Sequence, residues 1–269
     1  ISYRLVGSEM CIRDSIQIAA GVAAYCNFDE VRFLPCAQHA LGKAYSANGE
    51  QRLKMLELAI SRAGLDKLTI DSRELAREGV SYTVTTCQEM RKEVDSDVAL
   101  GFIIGSDNLS NLHRWHEWES LLELVNLVIV ERAQTELAAN SALGSGQADS
   151  SPHHPMQVDV FQSAKPVTAV QRILASAVDE LSEPFGQLIR VKLPPYPISS
   201  TRIRNQLALL YSELLAIQPI SELPGGLEAM AETGRMNPRI KQCLQQLQPS
   251  IDEDVLAYIV EHQLYSASS

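Results

Sequence analysis

Two short unbroken apolar runs, Val98 to Ile104 (VALGFII) and Leu127 to Val130 (LVIV), constrain this chain more than any other feature. A strand with one wet face alternates apolar and polar residues, whereas a strand covered on both faces has no polar face to show. Runs this short are far below the ~20 residues of a membrane span. They therefore predict central strands of a mainly parallel sheet, with crossover helices on both sides. The rest of the chain supplies such helices. Glu50 to Ala63 carries Leu53, Leu56, Ile60 and Ala63 on one stripe and ends at Gly64, which suits a left-handed helix stop.

The same alternation of periods runs from Ile16 onward and predicts an α/β fold. Ile16 to Cys26 reads as a helix of small residues and Glu30 to Leu34 as a strand stopped by Pro35. Cys36 to Gly49 reads as a polar loop, and Lys67 to Ile70 as a further strand. Ser81 or Thr83 is suited to cap a helix running to about Val94. A flexible insertion is expected at about 134–155, rich in Ala, Ser and Gly. A helix near Val167 to Leu181 and a strand at Gln187 to Leu193 resume the pattern. Leu223 to Ser250 has weak periodicity, and Ser250-Ile-Asp-Glu253 forms a capping box for a last helix reaching about His262. These elements predict one domain over residues 16–265, with a helical C-terminal part from about residue 199. Ile1 to Ser15 has neither period. It resembles either translated adapter sequence or a native unstructured tail, and stands outside the fold argument.

Charge narrows the partners. The formal net charge of −10 excludes a broad nucleic-acid face, which needs clustered Lys and Arg. A nucleotide substrate is still allowed, because a few local cations satisfy a triphosphate. The five cysteines (Cys11, Cys26, Cys36, Cys87, Cys243) are scattered and form no CxxC, so neither a disulfide framework nor a zinc site is indicated. A cytoplasmic protein is expected.

Ile198-Ser199-Ser200-Thr201-Arg202-Ile203-Arg204 carries the clearest chemistry. Pro194, Pro195 and Pro197 delay the helix, so that Ser199 becomes its cap. First-turn amides, the positive end of the dipole and neighbouring hydroxyls make an anion site. Arg204, one turn along, is placed to add a forked charge. An ordinary Ser/Thr-capped helix with solvated arginines fits the same residues.

ISSTRIR also resembles the I-S-S-T-x-I-R motif of the nucleotidyltransferase superfamily, in which it holds the triphosphate of ATP. Four more segments, in order, resemble its bacterial nicotinate-mononucleotide adenylyltransferases. Arg52 to Ile60 (RLKMLELAI) is similar to R-x-x-M-L-E-L-A-I, and Asp71 to Thr86 to R-E-L…S-Y-T-x-x-T. Phe102 to Asp107 (FIIGSD) with Trp115 to Glu119 (WHEWE) is similar to I-I-G-x-D…W-x-x-[WY]. Asp254 to Tyr265 is similar to a closing V-x-x-Y-I…L-Y helix. The resemblance implies a Rossmann-like nucleotidyltransferase fold and transfer of the adenylyl group of ATP to nicotinate mononucleotide, giving deamido-NAD and pyrophosphate. Mg2+ would arrive on ATP, with no metal cluster of the protein's own. A sister enzyme using nicotinamide mononucleotide or another phosphate acceptor, and a non-catalytic nucleotide-binding paralogue, are the alternatives.

The resemblance also assigns residues. Ser199, Ser200, Thr201 and Arg204 would hold ATP, with Lys43 and His39 reaching its phosphates, although Gln38 to Lys43 departs from the family register. Tyr82 and Thr83 would read the nicotinate carboxylate through backbone amides. Gly105 would admit the mononucleotide, Asp107 would accept from a ribose hydroxyl, Trp115 would stack on the pyridine ring and Arg132 would lie near the substrate. Each has a plainer reading: Asp107 as a helix cap, Trp115 as a core side chain, Arg132 as a solvated arginine. The family's opening strand and G-[GS]-x-F-[DN]-P-x-H-x-G-H motif would stand just before Ile16. Residues 1–15 contain no histidine, so that strand is expected to be missing or replaced, no catalytic residue is assigned, and impaired transfer is expected.

Overall fold

The computed structural model describes residues 2–3, 12–35, 47–132, 177–194, 200–217, 227 and 236–266. Among the described residues, six parallel strands form two ladders. β1 (Ser2–Tyr3), β2 (Val31–Phe33) and β3 (Leu68–Ile70) make one, and β4 (Gly101–Gly105), β5 (Asn126–Arg132) and β6 (Leu188–Leu193) the other. β1 also lies against β4, so the strands line up as β3-β2-β1-β4-β5-β6. This is the order of doubly wound α/β sheets, in which the chain reverses direction across the sheet between β1 and β4.

Among the described residues the helices with defined bounds are α1 (Ile12–Tyr25), α2 (Gly49–Ala63), α3 (Arg73–Ala76), α4 (Thr83–Glu93), α5 (Ser200–Leu215), α6 (Pro238–Leu247) and α7 (Glu253–Glu261). Two 3-10 helices, Ser106–Arg114 and Trp118–Glu123, join β4 to β5. α2 has signals at both ends. Asn48 and Gln51 satisfy each other's backbone amides, and Gly64 at φ 60° donates to the Ile60 carbonyl. In α5, Ile203, Leu207, Leu210 and Leu214 are fully buried on one stripe. Toward its carboxyl end the buried Tyr211 hydroxyl lies 2.9 Å from the Ile259 carbonyl and 2.7 Å from that of Leu264, sharing its proton between them and tying α5 to α7.

Period two along the central strands divides the core. Ile103, Val128, Val130, Ile189 and Val191 face α1, α2, α5, α6 and α7; Phe102, Ile104, Leu127, Ile129 and Leu188 face α4 and the 3-10 helices. Burial on both faces explains the unbroken apolar runs. At Gly101 a Cβ would stand 2.9 Å from the Phe28 ring and 3.3 Å from Val128, so the strand passes too close to its neighbours for any side chain.

Several expectations are corrected. Residues 1–15 are partly built into the fold: Ser2–Tyr3 pair with β2, and α1 begins at Ile12. Arg13 there donates to the Gln248 carbonyl and faces Asp252. The stripe of α2 is rotated, burying Met55, Leu56 and Ala59 and exposing Ala63, because the helix packs against both α1 and α7. β4 begins three residues late, since Val98 belongs to the turn closed on Asp95. Residues 177–181 are not helical; Val178 bridges Ile189 at the edge of β6 instead. α4 is capped by Tyr82 rather than Ser81 or Thr83, and α7 by Asp252 rather than Ser250. The amides of Ser250 and Ile251 both fold back onto Leu247. α6 escaped the periodicity, although Asn237-Pro238 is a helix start in plain view: the Asn237 side chain accepts from Ile240 N–H and proline takes the first position.

Candidate active site

Doubly wound sheets bind ligands outside the carboxyl ends of their strands, at the point where strand order reverses. Here β4 and β5 end at Gly105 and Arg132, and β6 ends at Leu193, the register partner of Arg132. The start of α4 and the loop between the 3-10 helices meet each other through the contact between Tyr82 and His116.

The turn before α4 rests on a polar base. Ser81 is fully buried with its hydroxyl 3.5 Å from the Glu74 carbonyl, and Thr83 is buried beside it. Between them Tyr82 is 39% exposed. Tyr82 caps α4 from extended backbone, without a side-chain bond to the first-turn amides. Below the turn, the Thr86 hydroxyl donates to Glu74 Oε1 at 2.8 Å and accepts from Arg77 Nη1 at 3.2 Å. Arg77 Nη2 donates to Glu89 Oε2 at 2.6 Å.

A second cluster braces the same helices. Arg73 donates from Nε to Asp71 Oδ2 and from both terminal nitrogens to Glu93, all at 2.8 Å. The hydrogen bonds from Glu93 and Asp71 raise the Arg73 pKa further above its ordinary value. Arg73 in turn lowers that of Glu93. For Asp71, burial pulls upward most strongly, yet the side-chain and backbone bonds from Arg73 with the charges of Arg73 and Arg32 leave the carboxyl below its usual range.

Trp115 closes the first 3-10 helix, its N–H donating to the Leu112 carbonyl at 3.0 Å. The half-buried indole meets Phe102 of β4 edge-on, with centroids 6.1 Å apart at 87°. Both the core reading and a surface role are thus open to one side chain with an inner and an outer part. The next residue, His116, stacks obliquely on Tyr82 with ring centroids 4.4 Å apart and pairs with Glu117 at 3.2 Å. Glu117 sits at φ 48°, a left-handed conformation uncommon for glutamate, which turns the loop at this point. His116 was not singled out from the sequence; its place between two tryptophans in WHEWE was the available signal.

Gly105 is the cap of the first 3-10 helix, and Asp107 lies inside that helix at its second position rather than at the cap. Ser200 opens α5, with Thr201, Arg202 and Arg204 exposed around the buried Ile203. His39, Lys43, Ser199 and the 134–155 insertion lie outside the described residues. Among the described residues, no group of three or more His, Cys, Asp or Glu side chains is arranged to hold a metal ion, and no helix is long and apolar enough to cross a membrane. The arrangement brings the start of a helix and aromatic rings together, and helix starts suit anions as rings suit a planar base.

The comparisons agree with this geometry. Residues 16–206 match the cytidylyltransferase-like family. A Pseudomonas paraeruginosa protein named "probable nicotinate-nucleotide adenylyltransferase" is 32% identical over 193 residues, which cover 72% of this chain and 77% of the relative. A Yersinia pestis protein of the same name is 34% identical over 160 residues, covering 60% of this chain; the chain spans 62% of that relative's length. The nicotinic acid mononucleotide adenylyltransferase of Plasmodium falciparum, solved with NaAD, shares the fold at a TM-score of 0.55 and 14% identity, over 98% of this chain and 95% of that one. Its complex with APC gives a TM-score of 0.51. The chain belongs to the cytidylyltransferase-like family, on the branch of the nicotinate-nucleotide adenylyltransferases.

Proposed function

We propose that this chain binds MgATP and nicotinate mononucleotide and serves adenylyl transfer between them, yielding deamido-NAD and pyrophosphate. One observation supports this most directly. The start of α4 at Tyr82 is joined by a ring stack to His116, next to Trp115, in the connection that follows the carboxyl end of β4. An anionic aromatic ring fits there, with its carboxylate on the amides of Tyr82 and Thr83 and its face on Trp115. Gly105 and Asp107 take the ribose side and Arg132 the phosphate side. The start of α5, with Ser199, Ser200, Thr201 and Arg204, takes the ATP phosphates, together with Lys43 and His39. Magnesium enters with ATP, held by phosphates and water. We place this activity in one domain of the cytoplasm, residues 16–265.

In-line attack of the mononucleotide phosphate on the ATP α-phosphorus needs alignment and charge stabilisation rather than a protein nucleophile. Residues 1–38 contain no histidine, and loss of one transition-state donor costs roughly 10²–10³-fold in rate. We therefore expect binding with little turnover. Calorimetric titration with each substrate, followed by a pyrophosphate-release assay, tests this. Failure to bind either substrate overturns the function. Turnover matching a relative that carries the histidine motif overturns the impairment. Equal affinity for nicotinamide mononucleotide favours the sister-enzyme alternative.

A further inference from the structure

We propose that the hydrogen-bond chain Arg77–Thr86–Glu74 is a positioning device that fixes the turn from Ser81 to Thr83 and so sets affinity for the mononucleotide without affecting ATP. The assignment of this turn to the mononucleotide rests on the function proposed above.

Thr86 holds the turn by two separate groups. Its N–H donates to the Tyr82 carbonyl at 3.3 Å, closing the first turn of α4 onto the cap. Its hydroxyl is locked from both sides, donating to Glu74 and accepting from Arg77. Glu74 lies on α3, at the other end of the connection that contains the turn, and its main-chain carbonyl faces the Ser81 hydroxyl. The segment from Arg77 to Thr86 is therefore closed end to end by the Arg77–Thr86 bond and tied at Thr86 to a buried carboxylate, with Glu74 and Thr86 no more than 1% exposed.

Stability alone does not ask for this arrangement. Burying a carboxylate is costly, and well-packed apolar residues often hold two helices as firmly as a buried ionic group does. What a chain of directional bonds adds is a fixed geometry. That geometry is delivered to Tyr82, an exposed residue that gains little packing from being held still, and through its stack to His116 beside Trp115. The rigid part lies under the part that faces solvent.

The test compares Thr86→Val, which keeps the shape and removes the hydroxyl, with Thr86→Ser, which restores it. Both are made in the 269-residue chain and titrated with nicotinate mononucleotide and, separately, with MgATP. The expected result is a loss of about tenfold in mononucleotide affinity for Thr86→Val, unchanged ATP affinity, and recovery in Thr86→Ser. Equal losses for both ligands, or no loss, overturn the proposal. Arg77→Ala, at a side chain 20% exposed, replaces Thr86→Val if that variant does not fold. Amide hydrogen exchange separates this proposal from the function it rests on. If the parent chain binds no mononucleotide, the function fails, and the link to affinity fails with it. Faster exchange at residues 79–84 in Thr86→Val, with β4 and β5 unchanged, then still supports the clamp, and unchanged exchange there removes it.

Discussion

At the scale of single residues, the two arginines of α5 make the sharpest contrast. Arg202 and Arg204 are both exposed and flank the buried Ile203, so they leave the helix roughly 200° apart. Arg204→Ala should weaken ATP binding by roughly tenfold to a hundredfold, the worth of a charge-assisted bond to phosphate. Arg202→Ala should change it little. An ATP titration in which the two variants behave alike counts against the phosphate helix. Trp115 bears two loads at once. Because its indole also meets Phe102, Trp115→Ala should lower thermal stability and reduce mononucleotide affinity by about tenfold, with ATP affinity nearly intact. Trp115→Phe should recover much of the stability. Equal losses for both ligands would mark Trp115 as a core residue and nothing more.

Elements show what the residues could and could not announce. α2 was readable because Asn48, Gln51 and Gly64 state its ends locally; β4 and β5 were readable because burial on both faces leaves no polar position. The cap of α4 was not. Ser81 is the better capping residue by type, but its hydroxyl is turned to Glu74, and only the fold brings that carbonyl near. The same holds for the site. ISSTRIR and WHEWE stand out as strings, whereas the stack of His116 on Tyr82 joins residues thirty-four positions apart. Tyr211 is a similar case: nothing in α5 reveals that its hydroxyl meets two carbonyls of the C-terminal segment. Burial pushes this phenol's pKa well above its ordinary value. Tyr211→Phe removes this donor, although the Ile259 carbonyl keeps the Leu264 N–H, and should cost about 0.5–1.5 kcal/mol. Urea denaturation checks it; an unchanged midpoint would mean the shared proton contributes nothing net.

For the whole molecule, acid should act through the cluster around Arg73, alongside Glu30, whose carboxyl the hydrogen bond from Arg32 holds below its usual range. The folded state holds the carboxyls of Asp71 and Glu93 below their usual pKa values. Their contribution is complete above the unfolded pKa of about 4 and is lost as pH falls through the lower folded values. Stability should therefore stay level from about pH 7 to 5 and decline below about 4. Arg73→Ala should flatten that decline, and an equally steep one in the variant would assign acid sensitivity elsewhere. Tyr211 has a consequence at this scale as well, for it makes α5 a lever. Ser200 lies eleven residues from that fulcrum, about 16 Å along the axis. A tilt of about 5° there would carry the phosphate-facing end more than about 1 Å, and a misplacement of that size costs about a hundredfold in a reaction that depends on alignment. Under the proposed function α7 touches no nucleotide, yet through Tyr211 it would set the angle at which the nucleotide is held.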